Sequence, residues 1–199
     1  LSISKDFTVT ITDTNDMPTL VTAIADQSID EDSALSFTMP TATFNDVDAG
    51  DSLTYSATLS NGSALPTWLT FNATTGIFSG TPLNDNVGTI SITITATDSS
   101  DSAVTDTFDL TIVNTNDAPT EITLSANSID ENSSGADIGD LTTSDVDVGD
   151  THTYSLTGTD ASSFEVVDGK LKLKSTVTAD FETKASYSVT LTATDSGGL

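Results

Sequence analysis

The sequence contains no cysteine and no arginine; its only basic side chains are five lysines and one histidine, His152. Without cysteine there is no disulfide, no thiolate zinc site and no cysteine nucleophile. A lone histidine without cysteine also argues against zinc or copper, which favour nitrogen and sulfur donors. The few cations face 30 acidic residues, for a formal net charge of −25. No basic patch is available to neutralise phosphates, which excludes nucleic acid as a partner. Anionic membrane surfaces are disfavoured for the same reason. No apolar run approaches the ~20 residues of a membrane span, so direct membrane insertion is not expected. No signal-peptide pattern is visible.

What is present is repetition. "FTVTITDTNDMP" (Phe7 to Pro18) recurs as "FDLTIVNTNDAP" (Phe108 to Pro119). "SIDEDS" at Ser28 recurs as "SIDENS" at Ser128, and "TATDSSDS" at Thr95 as "TATDSGGL" at Thr192. Offsets of about 100 residues match an ordinary domain size. The boundaries read from these motifs are 1–16 for the last strand and linker of a preceding repeat, 17–115 for a first domain, and 116–199 for a second.

The hydrophobic signal has period two. Ile90, Ile92, Ile94 and Ala96 alternate with Ser and Thr, as do Phe108, Leu110 and Ile112, and Tyr187, Val189, Leu191 and Ala193. Such alternation argues half-buried antiparallel strands. Asp168-Gly169 between "FEVV" and "KLKL" is a tight hairpin signal, because both residues tolerate positive φ. No segment sustains a helical period. The expected fold is all-β, with two Greek-key sandwiches in series. Trp68, the only tryptophan, is expected to anchor the first core with Phe71 and Phe78; a sugar-stacking platform is the weaker alternative. Lys170, Lys172 and Lys174 are expected to form a charged outward or edge face that discourages sheet pairing.

The two ends fit together in sequence. The second domain stops one strand short of the first, and residues 1–16 carry the matching strand and linker. The chain is therefore expected to be one period of a tandem array. Residues 5–13 are expected to pair with the second domain of another molecule.

The acids cluster at matched loop positions. Asp46, Asp48 and Asp51 in "DVDAGDSLTYS" recur as Asp145, Asp147 and Asp150 in "DVDVGDTHTYS". Glu31 recurs as Glu131, Asp98 as Asp195, and the linker Asn15-Asp16 as Asn116-Asp117. Hard cations such as Ca²⁺ take six to eight oxygen ligands from carboxylates, amides, carbonyls and water. This chain supplies those donors. An EF-hand is excluded by spacing, since it requires Gly at position six and Glu at position twelve. Counting from Asp46, those positions hold Asp51 and Ala57; from Asp145 they hold Asp150 and Leu156. Solvated turns would not explain the recurrence of the acids. A carboxylate pair for glycoside hydrolysis would need a cleft, and no cleft-forming insertion accompanies these loops. Nothing marks a nucleophile elbow for His152, which is expected on a strand surface.

Together, "NTNDAP", "DEN", "DFE", "TATDSGG" and "DVDVGDTHTYS" resemble a bacterial cadherin-type repeat over Pro119 to Leu199. "LPTWLTFNATTGIFSGTP" followed by "ITITATD" resembles a dystroglycan-type cadherin-like domain over roughly Met17 to Val113. The resemblance implies Ca²⁺ bound where consecutive domains meet. Carried over, the internal junction uses Glu31 and Asp98, the linker residues Thr115 (carbonyl), Asn116 and Asp117, and Asp145, Asp147 and Asp150. Asp13, Asn15 and Asp16 with Asp46, Asp48 and Asp51 form the downstream half of a second junction. Glu131, Asp180, Glu182 and Asp195 form the upstream half of a third. The first domain has no Asp-x-Glu, so one or two ions are expected at the internal junction. The resemblance further implies a non-enzymatic, calcium-rigidified extender of a secreted or surface-anchored bacterial adhesin. Its partners would be neighbouring repeats. The alternative is a calcium-dependent module for polysaccharide, cell-surface ligands or identical domains.

Overall fold

The computed structural model describes residues 1–48 and 50–199. The chain divides into two units, Leu1–Asn114 and Thr115–Leu199. Each is built from strands, as the period-two pattern requires. No helix among the described residues is long and apolar enough to cross a membrane.

The first unit contains β1 (Thr19–Leu20), β2 (Gln27–Asp30), β3 (Leu35–Thr38), β4 (Phe44–Asn45), β5 (Thr54–Leu59), β6 (Leu69–Asn72), β7 (Ile77–Gly80), β8 (Gly88–Thr97) and β9 (Ala103–Val113). One sheet has the order β2-β9-β8-β5 and faces a second of order β3-β7-β6; β1 and β4 form a short ribbon. β9 is antiparallel to β8 and parallel to β2. The alternation read from sequence is the alternation of burial. Ile92, Ile94 and Ala96 on β8 are completely buried, and Phe108, Leu110 and Ile112 on β9 nearly so. Each such side chain contributes at most about 1.5–3 kcal/mol of hydrophobic stabilisation. On the opposite face, threonines pair across the ladder, Thr93 with Thr107 at 2.8 Å and Thr89 with Thr111 at 3.1 Å.

Phe78 sits at the centre of this core. Its ring lies 4.6 Å from Phe71, and it meets Phe108 edge-on at 5.7 Å. Trp68 packs against the same cluster, as expected of a core anchor. One buried carboxylate is structural: Asp106 accepts the N–H of Ile24 at 2.6 Å, which satisfies a donor that has left the sheet.

The second unit contains β10 (Glu121–Leu124), β11 (Asp137–Ser144), β12 (Thr153–Thr157), β13 (Phe164–Val167), β14 (Lys170–Leu173) and β15 (Thr190–Thr194). Its sheets have the orders β10-β11-β14-β13 and β12-β15. Leu141, Phe164, Leu171 and Leu173 form the core. The hairpin at Asp168-Gly169 forms as read, with φ of +52° and +72°. Of the two readings of the lysine face, outward or edge, the outward one holds. β14 lies between β11 and β13, so it is an interior strand. Its lysines instead pair with acids across the ladder, Lys170 with Asp140 at 2.5 Å and Lys172 with Asp137 at 2.9 Å.

The units differ in how the sheet holding β8 is completed. β9 in the first lies between β2 and β8, and the second has no counterpart to it. There β15 pairs with β12 alone and has five residues where β8 has ten. Residues 5–13, expected as a strand, have no ladder partner among the described residues. Phe7, Val9 and Ile11 are 79%, 86% and 92% exposed.

Candidate metal centres

Each unit carries an acidic loop just ahead of an inner strand, β5 or β12. The register of the following ladder decides what joins that loop. Thr54 pairs with Thr97, which places Asp98 at the end of β8 beside Asp51. Thr153 pairs with Thr194, which places Asp195 at the end of β15 beside Asp150. Carboxylate oxygens of Asp46, Asp51 and Asp98 consequently lie within 4.8 Å of one another, and so do those of Asp145, Asp150 and Asp195.

This grouping differs from the one read off the sequence. Asp98 was expected with Asn116, Asp117 and Asp145, yet it belongs with Asp46 and Asp51. Asp195 was expected in an upstream half-site with Glu131, Asp180 and Glu182, yet it belongs with Asp145 and Asp150. The cause is strand pairing: "TYSAT" and "TITATD" are antiparallel neighbours, so the aspartate closing the later strand returns to the loop opening the earlier one.

The surrounding hydrogen bonds recur from unit to unit. In the first, Asp46 Oδ1 accepts the N–H of Asp48 at 2.9 Å, and Asp48 Oδ2 accepts the N–H of Asp16 at 2.7 Å. In the second, Asp145 Oδ1 accepts the N–H of Asp147 at 3.0 Å, and Asp147 Oδ2 accepts the N–H of Asp117 at 2.7 Å. Asn15 Nδ2 donates to Asp98 Oδ2 at 3.1 Å, and Asn116 Nδ2 to Asp195 Oδ2 at 3.0 Å. Ser99 and Ser196 donate their hydroxyls to Asp51 and Asp150. Gly50 and Gly149 turn both loops with the same φ of +97°. Each linker Asn-Asp pair is thus fastened to the acidic loop of the domain that follows it.

The electrostatics favour ionised carboxylates. Desolvation raises the pKa of Asp98, but hydrogen bonds from Asn15 and from Ser102 and Ser100 outweigh it and leave it below the ordinary value. Asp195 is held low chiefly by the N–H of Leu199, against desolvation, with Asn116 and Gly198 assisting. His152 lowers Asp145 most, followed by the N–H of Asp147. All three are therefore charged at neutral pH and sit beside further aspartates.

His152 departs from the expected strand surface. Its side chain is 12% exposed, and its Nε2 lies 2.9 Å from Asp145 Oδ2. Leu53 occupies the equivalent position in the first unit, where Asp46 Oδ2 is buried without a hydrogen-bond partner. In the second unit the orphan sits at a different position, Asp150 Oδ2, on the counterpart of Asp51. A buried carboxylate oxygen with no donor is costly unless a cation satisfies it. The donors gathered at each cluster are all oxygen, which suits Ca²⁺ and not a softer metal.

One contributor escaped the sequence reading. A Cβ at Gly197 would lie 2.2 Å from Asn116 Oδ1, so glycine there admits the linker amide to Asp195. Glu31 follows β2, with its N–H on the carbonyl of Val113 at 3.0 Å. Thr115 begins the second unit. Asp13 lies on the exposed stretch before Asn15. Glu131, Asp180 and Glu182 join none of the carboxylate clusters among the described residues. Asp180 instead accepts from the N–H and hydroxyl of Thr183 at 3.1 Å and 2.7 Å.

Residues 17–113 match the family model described as a putative Ig domain. No curated protein matches the chain. Among solved structures, the protocadherin gamma B4 extracellular domain aligns with a TM-score of 0.70 at 23% identity, covering 93% of this chain and 30% of that one. Extracellular cadherin domains 1–4 of protocadherin gamma B7 align at 0.65 and 23%, covering 90% and 46%. Domains 22–24 of mouse cadherin-23 align at 0.59 and 22%, covering 93% and 62%. The chain thus spans only part of the molecules it resembles. Its fold is that of Ig-like and cadherin-like β-sandwiches in series.

Proposed function

We propose that the chain is a calcium-binding spacer from the extracellular part of a secreted or surface-anchored bacterial adhesin. One observation carries this reading. Two units of different sequence place three aspartates and a linker asparagine in the same arrangement, each with one buried carboxylate oxygen that no donor satisfies. Asp46, Asp51 and Asp98 with Asn15 would hold one ion; Asp145, Asp150 and Asp195 with Asn116 would hold another. Asp48 and Asp147 fasten the linker backbone beside them.

The mechanism is ionic and mechanical. Without a cation the clustered carboxylates repel one another. A divalent ion offsets that repulsion and ties the linker to the loop of the domain it enters. The linker then loses freedom, and a row of such units stiffens. Following the cadherin resemblance, Thr115, Asp117 and Glu31 are the further ligands expected around the internal linker. Asp13 and Asp16 are their counterparts at the first linker. Glu131, Asp180 and Glu182 would serve a following repeat. The neighbouring repeats are the partners such a spacer requires.

Calcium titration by calorimetry at up to about 10 mM, the weak range of extracellular modules, tests the reading with Asp98→Asn and Asp195→Asn. Each variant should abolish one set of binding events and leave the other. Unchanged isotherms in both variants, or no binding by the parent chain, would refute the assignment.

A further inference from the structure

The two acidic loops lead into their strands through one position where the side-chain chemistry changes. Leu53 stands two residues after Asp51, and His152 two residues after Asp150. Leu53 packs against the first core and has no group that can donate a hydrogen bond. His152 is largely buried and sets Nε2 at 2.9 Å from Oδ2 of Asp145, whose side chain is only 4% exposed. An ionised carboxylate accepts and cannot donate, so Nε2 carries the proton of this contact.

The other contacts of these aspartates run in parallel. Asp46 and Asp145 each accept through Oδ1 the N–H of the residue two positions on. Asp51 and Asp150 each accept through Oδ1 a serine hydroxyl, from Ser99 and Ser196. What differs is the second oxygen of the first aspartate in each loop. Asp46 Oδ2 is buried with no donor, whereas Asp145 Oδ2 has the imidazole N–H. In the second unit the buried oxygen without a donor is on Asp150 instead. Such an oxygen is costly to bury until a cation meets it. An oxygen that already accepts an N–H has one lone pair fewer to offer.

Given the calcium sites proposed for both units, we infer that His152 divides the ligand roles differently in the two. In the first unit Asp46 presents its open oxygen to the ion. In the second, His152 ties down Asp145, and Asp150 becomes the aspartate that presents one. His152 joins no carboxylate cluster among the described residues, so it acts through Asp145 and not as a ligand. It is a positioning residue. Hydrogen bonds to a ligating group commonly change metal affinity by about 10–100-fold when they are removed. Here the bond also selects which carboxylate is left open. Leu53, at the same place in the first unit, cannot make that selection, and Asp46 stays available.

Calorimetric calcium titration at pH 8 reads one cluster at a time, with Asp195→Asn silencing the second and Asp98→Asn the first. Asp46→Asn should weaken the first cluster about tenfold more than Asp145→Asn weakens the second. In a His152→Leu background Asp145 Oδ2 is open, and Asp145→Asn should then cost as much as Asp46→Asn does. His152→Gln keeps a donor and should restore the milder cost, which a side chain needed only for packing would not do. Should His152→Leu fail to fold, the converse decides: Leu53→His should reduce the cost of Asp46→Asn. Equal costs for Asp46→Asn and Asp145→Asn in otherwise unaltered loops overturn the inference and leave the calcium sites standing. So does a cost of Asp145→Asn that His152→Leu does not raise, or a cost of Asp46→Asn that Leu53→His does not reduce. A parent chain that binds no calcium overturns the calcium reading and this inference with it.

Discussion

Calcium at about 10 mM is expected to raise the melting temperature by on the order of 10 °C, and chelator to reverse it. The size follows from linkage. For dissociation constants of about 10⁻⁴–10⁻³ M, one site stabilises its domain by ~1.4–2.7 kcal/mol at that concentration. Domains of this size shift by about 4–8 °C per kcal/mol. Both units should respond, because both carry the cluster. The pH dependence has a definite sign. The pKa values of Asp98, Asp145 and Asp195 are depressed in the folded chain. Their contribution is therefore full above the ordinary carboxylate range and is lost as pH falls through the lower folded values. The calcium increment should be similar at pH 8 and pH 6 and be lost only as pH falls below the ordinary carboxylate range. Differential scanning calorimetry with and without calcium checks this. An equal increment from magnesium would argue for screening of net charge and against shaped sites.

Gly80→Val is expected to unfold the first unit selectively. A Cβ on Gly80 would lie 2.0 Å from the carbonyl oxygen of Trp68 and 3.0 Å from its carbonyl carbon. The obstacle is backbone, so no rotamer change relieves it. Gly80 pairs with both Leu35 and Leu69, the two partners of its strand in the sheet. Moving Trp68 away disturbs Leu69 and the aromatic cluster around Phe78. Overpacking of a close backbone contact costs about 3 kcal/mol or more. The first transition should fall by more than 10 °C on that estimate, while the second unit's transition stays in place. Ser79→Ala, on the exposed neighbour, is the control and should change little. An unshifted first transition in Gly80→Val would contradict the packing described for Trp68.

The strands were legible because their periodicity is local. Ile90 to Ala96 and Phe108 to Ile112 alternate in a way only a two-faced strand uses. The acidic loops were legible because they occur twice. Which acids meet was not, since that depends on strand register, a long-range property. The pairing of Thr54 with Thr97 moves Asp98 from one expected site to another. The role of His152 was hidden because its first-unit counterpart is Leu53, so the repeat gave no hint of a partner for Asp145. Gly197 was hidden for a different reason. Its value lies in the space it leaves for Asn116, and an absent side chain has no pattern. The lysines of β14 were read as a charged outward or edge face, and only the outward alternative holds, because strand order is not written in a single strand.

The most direct test is diffraction from crystals grown in calcium and in terbium, with anomalous scattering locating the ions. The account predicts one ion among Asp46, Asp51 and Asp98 and one among Asp145, Asp150 and Asp195, each close to a linker asparagine. Ions bound elsewhere while both clusters remain empty would contradict it.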